Sequence, residues 1–233
     1  MLVFGAVFGS LGRQVGGLQN SQVAELFAKL GATGEDFTNV FFAAILALMG
    51  AIISAYAVQA LMVLRSEEAE GRLEPLMATA TARLGWLMSH VVIVVAGSVI
   101  IFLFLGTGMG IAYGLAAGDT PGRVATLAAA ALVHVPATLV IAGAVVMLIG
   151  LTSKWSGVLA WSVYALAMLT GPLGEALSLP GSFRGVSPFS HTPALPSADL
   201  ILAPLLALLL AAGVITVIGI VAFRRRDLGS ARP

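Results

Sequence analysis

The sequence predicts an all-α protein, a polytopic bundle of membrane-spanning helices, and three observations carry that prediction. Five apolar stretches, residues 39–64, 91–117, 124–151, 155–173 and 200–223, contain no Asp, Glu, Lys or Arg, and each approaches the ~20 residues an α-helix needs to cross a bilayer. Charged residues are 10% of the chain against 59% hydrophobic, with a mean hydropathy of +1.02, which excludes a water-soluble core. The basic residues are divided unevenly between alternate flanks: Arg65, Arg72, Arg83, Lys154, Arg224, Arg225, Arg226 and Arg232 fall on one set, Arg13, Lys29, Arg123 and Arg184 on the other. Because cytoplasmic flanks accumulate Lys and Arg, the first set and the carboxyl terminus are expected inside.

Taken in order, residues 1–233 read as one transmembrane domain. Residues 1–12 are apolar but too short to span, and are expected to be the outer part of a truncated first helix. A secretory signal is the competing reading, but it requires a basic region ahead of the apolar stretch, and none is present. Residues 13–38 are expected outside, with Ser21 to Leu30 as an amphipathic surface helix: Ser21 at the N-cap and Val23, Leu26, Phe27 and Leu30 on one face. In the first full span Tyr56 and Gln59 share a helix face, and the Gln59 amide is expected to have a buried partner or water.

The segment 65–90 holds Glu67, Glu68, Glu70 and Glu74, four of the chain's eleven acidic residues, beside Arg65 and Arg72. Ser66 is placed to cap a helix whose first turn carries Glu67 and Glu68. Gly71 weakens that helix and Pro75 starts another. The expected result is a short bent element under the membrane, with an apolar pattern through Leu76, Met77, Leu84 and Trp86 that a plain solvated hairpin does not need. A docking surface for a cytoplasmic partner is therefore expected there.

In the next span Gly106, Gly110, Gly114 and Gly118 recur every fourth residue, which lays bare backbone along one face for the close approach of another helix. In the span after it His134 precedes Pro136, and a mid-helix proline removes a backbone hydrogen bond and bends the helix. His134 either bonds a neighbouring helix or, with Tyr56 and Gln59, lines a substrate path. Residues 174–199 form an outer loop, and the tail 224–233 opens with Arg224, Arg225 and Arg226, an anchor for anionic cytoplasmic head groups.

Several chemistries are excluded by what the chain lacks. There are no cysteines, hence no disulfide, thiolate metal site or thiol nucleophile. His90, His134 and His191 are single and far apart, so neither a metal site nor a catalytic cluster is expected. Spans without an ionisable carboxylate or amine offer no relay for coupling to an ion gradient. Neither Lys29 nor Lys154 follows the glycine spacing of a Walker A loop, so any ATP and Mg would be bound by a separate subunit.

The order Glu70, Gly71, Glu74, Leu76, Met77, Thr79, Arg83 resembles the coupling segment of type 2 ABC exporter permeases. Departures from the usual pattern are Ala80 for a proline, Ala82 for a serine and His90 for a lysine. The outer loop SPFSHTPALP at 187–196 and the ending FRRRDL at 223–228 further resemble bacterial exporters of polyketide antibiotics, so that the likeness extends from about residue 39 to 228. The resemblance implies the second half of a two-half permease in a bacterial plasma membrane, moving hydrophobic or amphipathic drug-like compounds. It implies that Glu67, Glu68, Glu70, Gly71, Glu74, Pro75, Leu76 and Arg83 meet a cytoplasmic ATPase. The expected partners are that ATPase, a second permease half, membrane lipid and hydrophobic cargo, with no nucleic acid and no cofactor bound by this chain itself. Lipid export, or a non-transporting anchor or sensor, stays open as the alternative.

Overall fold

A computed structural model describes residues 1–17, 35–69, 83–152, 154–174 and 177–225. The elements among them are α1 (Leu2–Gly17), α2 (Glu35–Ala69), α3 (Arg83–Ala117), α4 (Thr120–Leu132), α5 (Val135–Leu151), α6 (Ser156–Thr170), the one-turn α7 (Gly181–Arg184), a 3-10 turn (Pro188–His191) and α8 (Leu202–Arg225). Among the described residues, four stretches are long and apolar enough to cross a membrane: Phe37–Glu67, Gly85–Ala117, Thr120–Leu151 and Leu202–Arg225. The chain is a multi-pass, all-helical membrane protein, in accord with the sequence.

The helices outrun the apolar stretches that announce them. α2 continues to Ala69 and α3 begins at Arg83, because a backbone already hydrogen-bonded i to i−4 propagates into the aqueous edge at little cost. Ser66 accordingly does not cap a new helix. It lies in the last turns of α2, with Oγ donating to the Val63 carbonyl at 2.9 Å. His90 likewise belongs to α3, its Nδ1 donating to the Trp86 carbonyl at 3.0 Å. The expected span 155–173 is realised as the 15-residue α6 closed by turns, in which Leu173 N–H reaches the Met168 carbonyl at 3.2 Å. The outer helix expected over Ser21–Leu30 lies outside the described residues.

The proline break appears where the sequence placed it. α4 ends at Leu132 and α5 starts at Val135, with Val133 and His134 in a turn between them. Pro136 has no N–H to donate to residue 132, and its ring crowds that carbonyl, so the helix restarts.

By internal contacts the chain forms two compact units, one comprising Met1–Ile53, Val99–Val135 and Thr192–Leu205, the other Ser54–Ser98, Pro136–His191 and Leu206–Pro233. In the first, α3 presents glycine on two faces. Gly106 and Gly114 abut the backbone of α4, with the space for a Cβ ending 2.5 Å from the Leu127 carbonyl oxygen and 2.6 Å from Thr120 Cα, and Gly110 meets Val124 in the same way. On the other face Gly108 meets the Leu2 carbonyl, while Gly5 and Gly9 of α1 press on the carbonyls of Leu105 and Met109. Gly118, expected on the same stripe, belongs instead to the turn that ends α3. Its φ is +80°, a value L side chains resist, and nothing approaches it within 4 Å. Asp119 then caps α4 by accepting from Gly122 N–H at 3.2 Å.

In the second unit α5 and α8 meet closely at Gly150 and Gly219, where the space for a Cβ on Gly219 ends 2.6 Å from Met147 N. Ser187, fully buried, donates from Oγ to the Ala167 carbonyl at 2.7 Å and thereby ties the connection between α6 and α8 to α6.

Candidate functional site

The residues singled out in the sequence fall into three groups, and the structure treats them differently. His134 is buried at 2% exposure in the first unit. Its imidazole stacks on Phe102, with centroids 6.3 Å apart and planes at 24°. Gly50 of α2 faces it, and a Cβ there would lie 3.1 Å from His134 Cβ, so the missing side chain makes room for the ring. The bent turn before Pro136 thus seats a polar ring in a close-packed core position.

Tyr56 and Gln59 belong to the second unit. The Tyr56 ring is half-buried against α3 at Gly97, where the ring carbon bearing its hydroxyl fills the space of a Cβ to within 3.0 Å. Gln59 is exposed. The reason is helical phase: Val58 and Leu61 take the inner face of α2, while Gln59 shares the outer face with Ile52 and Val63. Within that unit Ser54 and Thr138, both fully buried, join α2 to α5 by a hydroxyl pair at 2.8 Å. The sequence reading missed this pair. A serine and a threonine 84 residues apart carry no spacing signal, and only the fold brings them together.

The third group is the segment rich in glutamate. Glu67 lies on the last turns of α2 and is half-buried. Glu68 and Arg83 are placed by their backbones at the ends of α2 and α3, and their side chains lie outside the described residues, as do Glu70, Gly71, Glu74, Pro75 and Leu76 entirely. Arg65 is fixed one turn earlier, with Nη2 donating to the Lys154 carbonyl at 3.0 Å. That bond gathers the end of α2 and the start of α6, and with Arg224 and Arg225 closing α8 these elements concentrate positive charge at one end of the second unit.

Among the described residues no group of three or more His, Cys, Asp or Glu could hold a metal ion.

Comparison with known proteins agrees with this architecture. Residues 1–224 match the family model described as "Multidrug efflux system permease Rv1217c, C-terminal domain". The multidrug efflux system permease protein Rv1217c of Mycobacterium tuberculosis is 34% identical over 227 residues, covering 97% of this chain and 41% of the relative. The chain therefore spans about two fifths of the length of the curated relative it matches. Matched over nearly all of its length to the model and to the relative, the chain belongs to the family of the C-terminal domain of the multidrug efflux system permease Rv1217c.

Proposed function

We propose that this chain is a membrane-spanning permease part, one of two permease halves, of an ATP-driven exporter that moves hydrophobic, drug-like compounds out of a bacterial cell. The observation that carries the reading is the family match over residues 1–224, to a domain of a permease named for multidrug efflux. Spans free of Asp, Glu, Lys and Arg support an energy source outside the membrane. In this reading a cytoplasmic ATPase binds ATP and Mg, closes on them, and passes the movement to α2 and α3 through residues 65–90 as a rigid-body change. This chain does no covalent chemistry. Its carboxyl terminus and the end bearing Arg65, Lys154, Arg224 and Arg225 face the cytoplasm of the inner membrane.

A second permease half completes the complex. The exposed Gln59 amide, six residues inside Arg65 on an apolar face, supports this, since an amide at membrane depth gains from a partner across a helix interface.

The test is the triple substitution Glu67→Lys, Glu68→Lys, Glu74→Lys in the assembled exporter. Replacing carboxylates at a protein contact by ammonium groups removes about 2 to 5 kcal/mol where the charges are hydrogen-bonded and buried. Membrane abundance should hold, because these side chains lie outside the hydrocarbon, while cargo-stimulated ATPase activity should be lost. Unchanged stimulation overturns the coupling role. Orientation is checked separately in this cysteine-free chain. Single cysteines at Ser66, Ser153 and Ser230 should resist an impermeant thiol reagent in intact cells, and those at Thr33, Thr120 and Ser182 should react.

A further inference from the structure

The second unit contains a cavity of about 340 Å³ whose lining is apolar except for Thr216. Its floor is α5 at Leu139, Ala142, Gly143 and Val146, and its walls are α3 at Val91, Val94 and Val95 and α8 from Leu209 to Ile220, with Leu61 of α2. The cavity is deep, since Ala142 and Val146 of the floor and Val94 and Leu61 of the walls are all buried, yet Leu209 and Val217 on the α8 wall are 44% and 57% exposed. The cavity therefore opens sideways, between helices long and apolar enough to span a membrane. Thr216 adds little polarity, because its hydroxyl is already donated to the Ala212 carbonyl at 2.7 Å.

A small apolar cavity of ~150 Å³ stays dry and takes up an apolar guest, and this one is larger and falls in the size range of ligand pockets, roughly 300–1,000 Å³. One end of it is marked by charge. Residues four apart share a helix face. Ile220 on α8 is followed one turn later by Arg224, still within the helix and exposed. The guanidinium-bearing face of α8 thus continues the cavity lining out of the apolar zone, while Arg65 on α2 is engaged with the Lys154 carbonyl.

We propose that this cavity binds one acyl chain of an anionic phospholipid, with the lipid's phosphate held at Arg224. The occupant follows from the two chemistries in sequence along one face of α8: an uncharged slot, then a cation one turn beyond it. A neutral drug would use the slot and leave the arginine unused. A soluble anion would use the arginine and leave the slot empty. A charged lipid satisfies both, and its site is independent of whether the chain exports anything.

Gly213 provides the decisive variant. It lines the cavity, and a Cβ there meets nothing within 4 Å, so a larger side chain fills the slot without moving backbone. The full chain, with any partners it retains on extraction, is placed in liposomes containing a phosphatidylglycerol that carries a diazirine midway along one acyl chain. Light-induced labels are then mapped by mass spectrometry. Labelling should concentrate on residues 91–95, 139–146 and 209–220. Gly213→Leu should reduce it there at least fivefold while leaving the outer faces at Ile100 and Phe104 unchanged. Val217→Trp, which plugs the mouth from an exposed position, should do the same if Gly213→Leu fails to accumulate. A phosphatidylcholine probe with the same chain should label the cavity roughly fivefold less, and Arg224→Gln should abolish that preference, as expected when one basic contact to an anionic lipid is lost. Even labelling over every exposed helix face, or equal labelling by both lipids, overturns the proposal.

Discussion

Two glycine-bearing helices in this molecule meet their neighbours in opposite ways. On α3 the glycines at 106, 110 and 114 all press on the backbone of α4. On α8, Gly219 presses on α5 at Met147, but Gly213, less than two turns earlier, faces open space. The first contact takes in all three glycines; the second runs from Ala212, whose carbonyl lies 3.0 Å from the Cβ space of Gly143, to Gly219, and leaves Gly213 beside it on the open side of α8. Glycine alone therefore does not dictate close packing. It permits contact, and the rest of the face decides whether the permission is used.

The strongest way to break this comparison is to fill the closed interface. Gly110→Leu puts a branched side chain against the Val124 backbone, which cannot rotate away. It should cost about 3 kcal/mol, the upper part of the range for overpacking, seen as a lowered thermal midpoint by circular dichroism in detergent. An unchanged midpoint would mean that α3 and α4 are not held at that distance. A smaller effect separates helix contact made by backbone from contact made by hydroxyls. Ser54→Ala and Thr138→Val should each cost about 1 kcal/mol. The double variant should cost less than their sum, because each single change already removes the 2.8 Å bond. Additive losses would show that the pair is not coupled. The smallest effect has the opposite sign. Gly213→Ala should raise the midpoint, by about 0.5 to 1 kcal/mol, since alanine loses less backbone freedom in a helix and meets no neighbour.

Much of this was legible in the sequence, for identifiable reasons. Long runs without charge mark helices because the bilayer forbids unpaired backbone. Pro136 marked the break because its constraint is local. The spacing of Gly106, Gly110 and Gly114 marked a face because α-helical phase is fixed. Gly118 shares that spacing and misled, since glycine serves both helix contacts and left-handed turns, and only the φ of +80° separates them. Ser66 misled differently. Charge marks the edge of the hydrocarbon and not the end of a helix, so α2 ran on to Ala69. The exposed position of Gln59 follows from which face of α2 turns inward, and an apolar run on all sides conceals that phase. The cavity left no trace at all. Its lining is Val, Leu, Ala and Gly, the same residues that fill every other span.

The joint between α3 and α4 bears on how the protein is made. Only Gly118 and Asp119 separate the two helices, and their contacts, such as Gly110 with Val124, are close along the chain. Contacts of short sequence separation form early and quickly. As the chain leaves the ribosome, this pair can start a hairpin before α8 has been synthesised, one that α5 completes, since α4 is only 13 residues and the span runs Thr120–Leu151. The hairpin then serves as a template on which the later helices assemble.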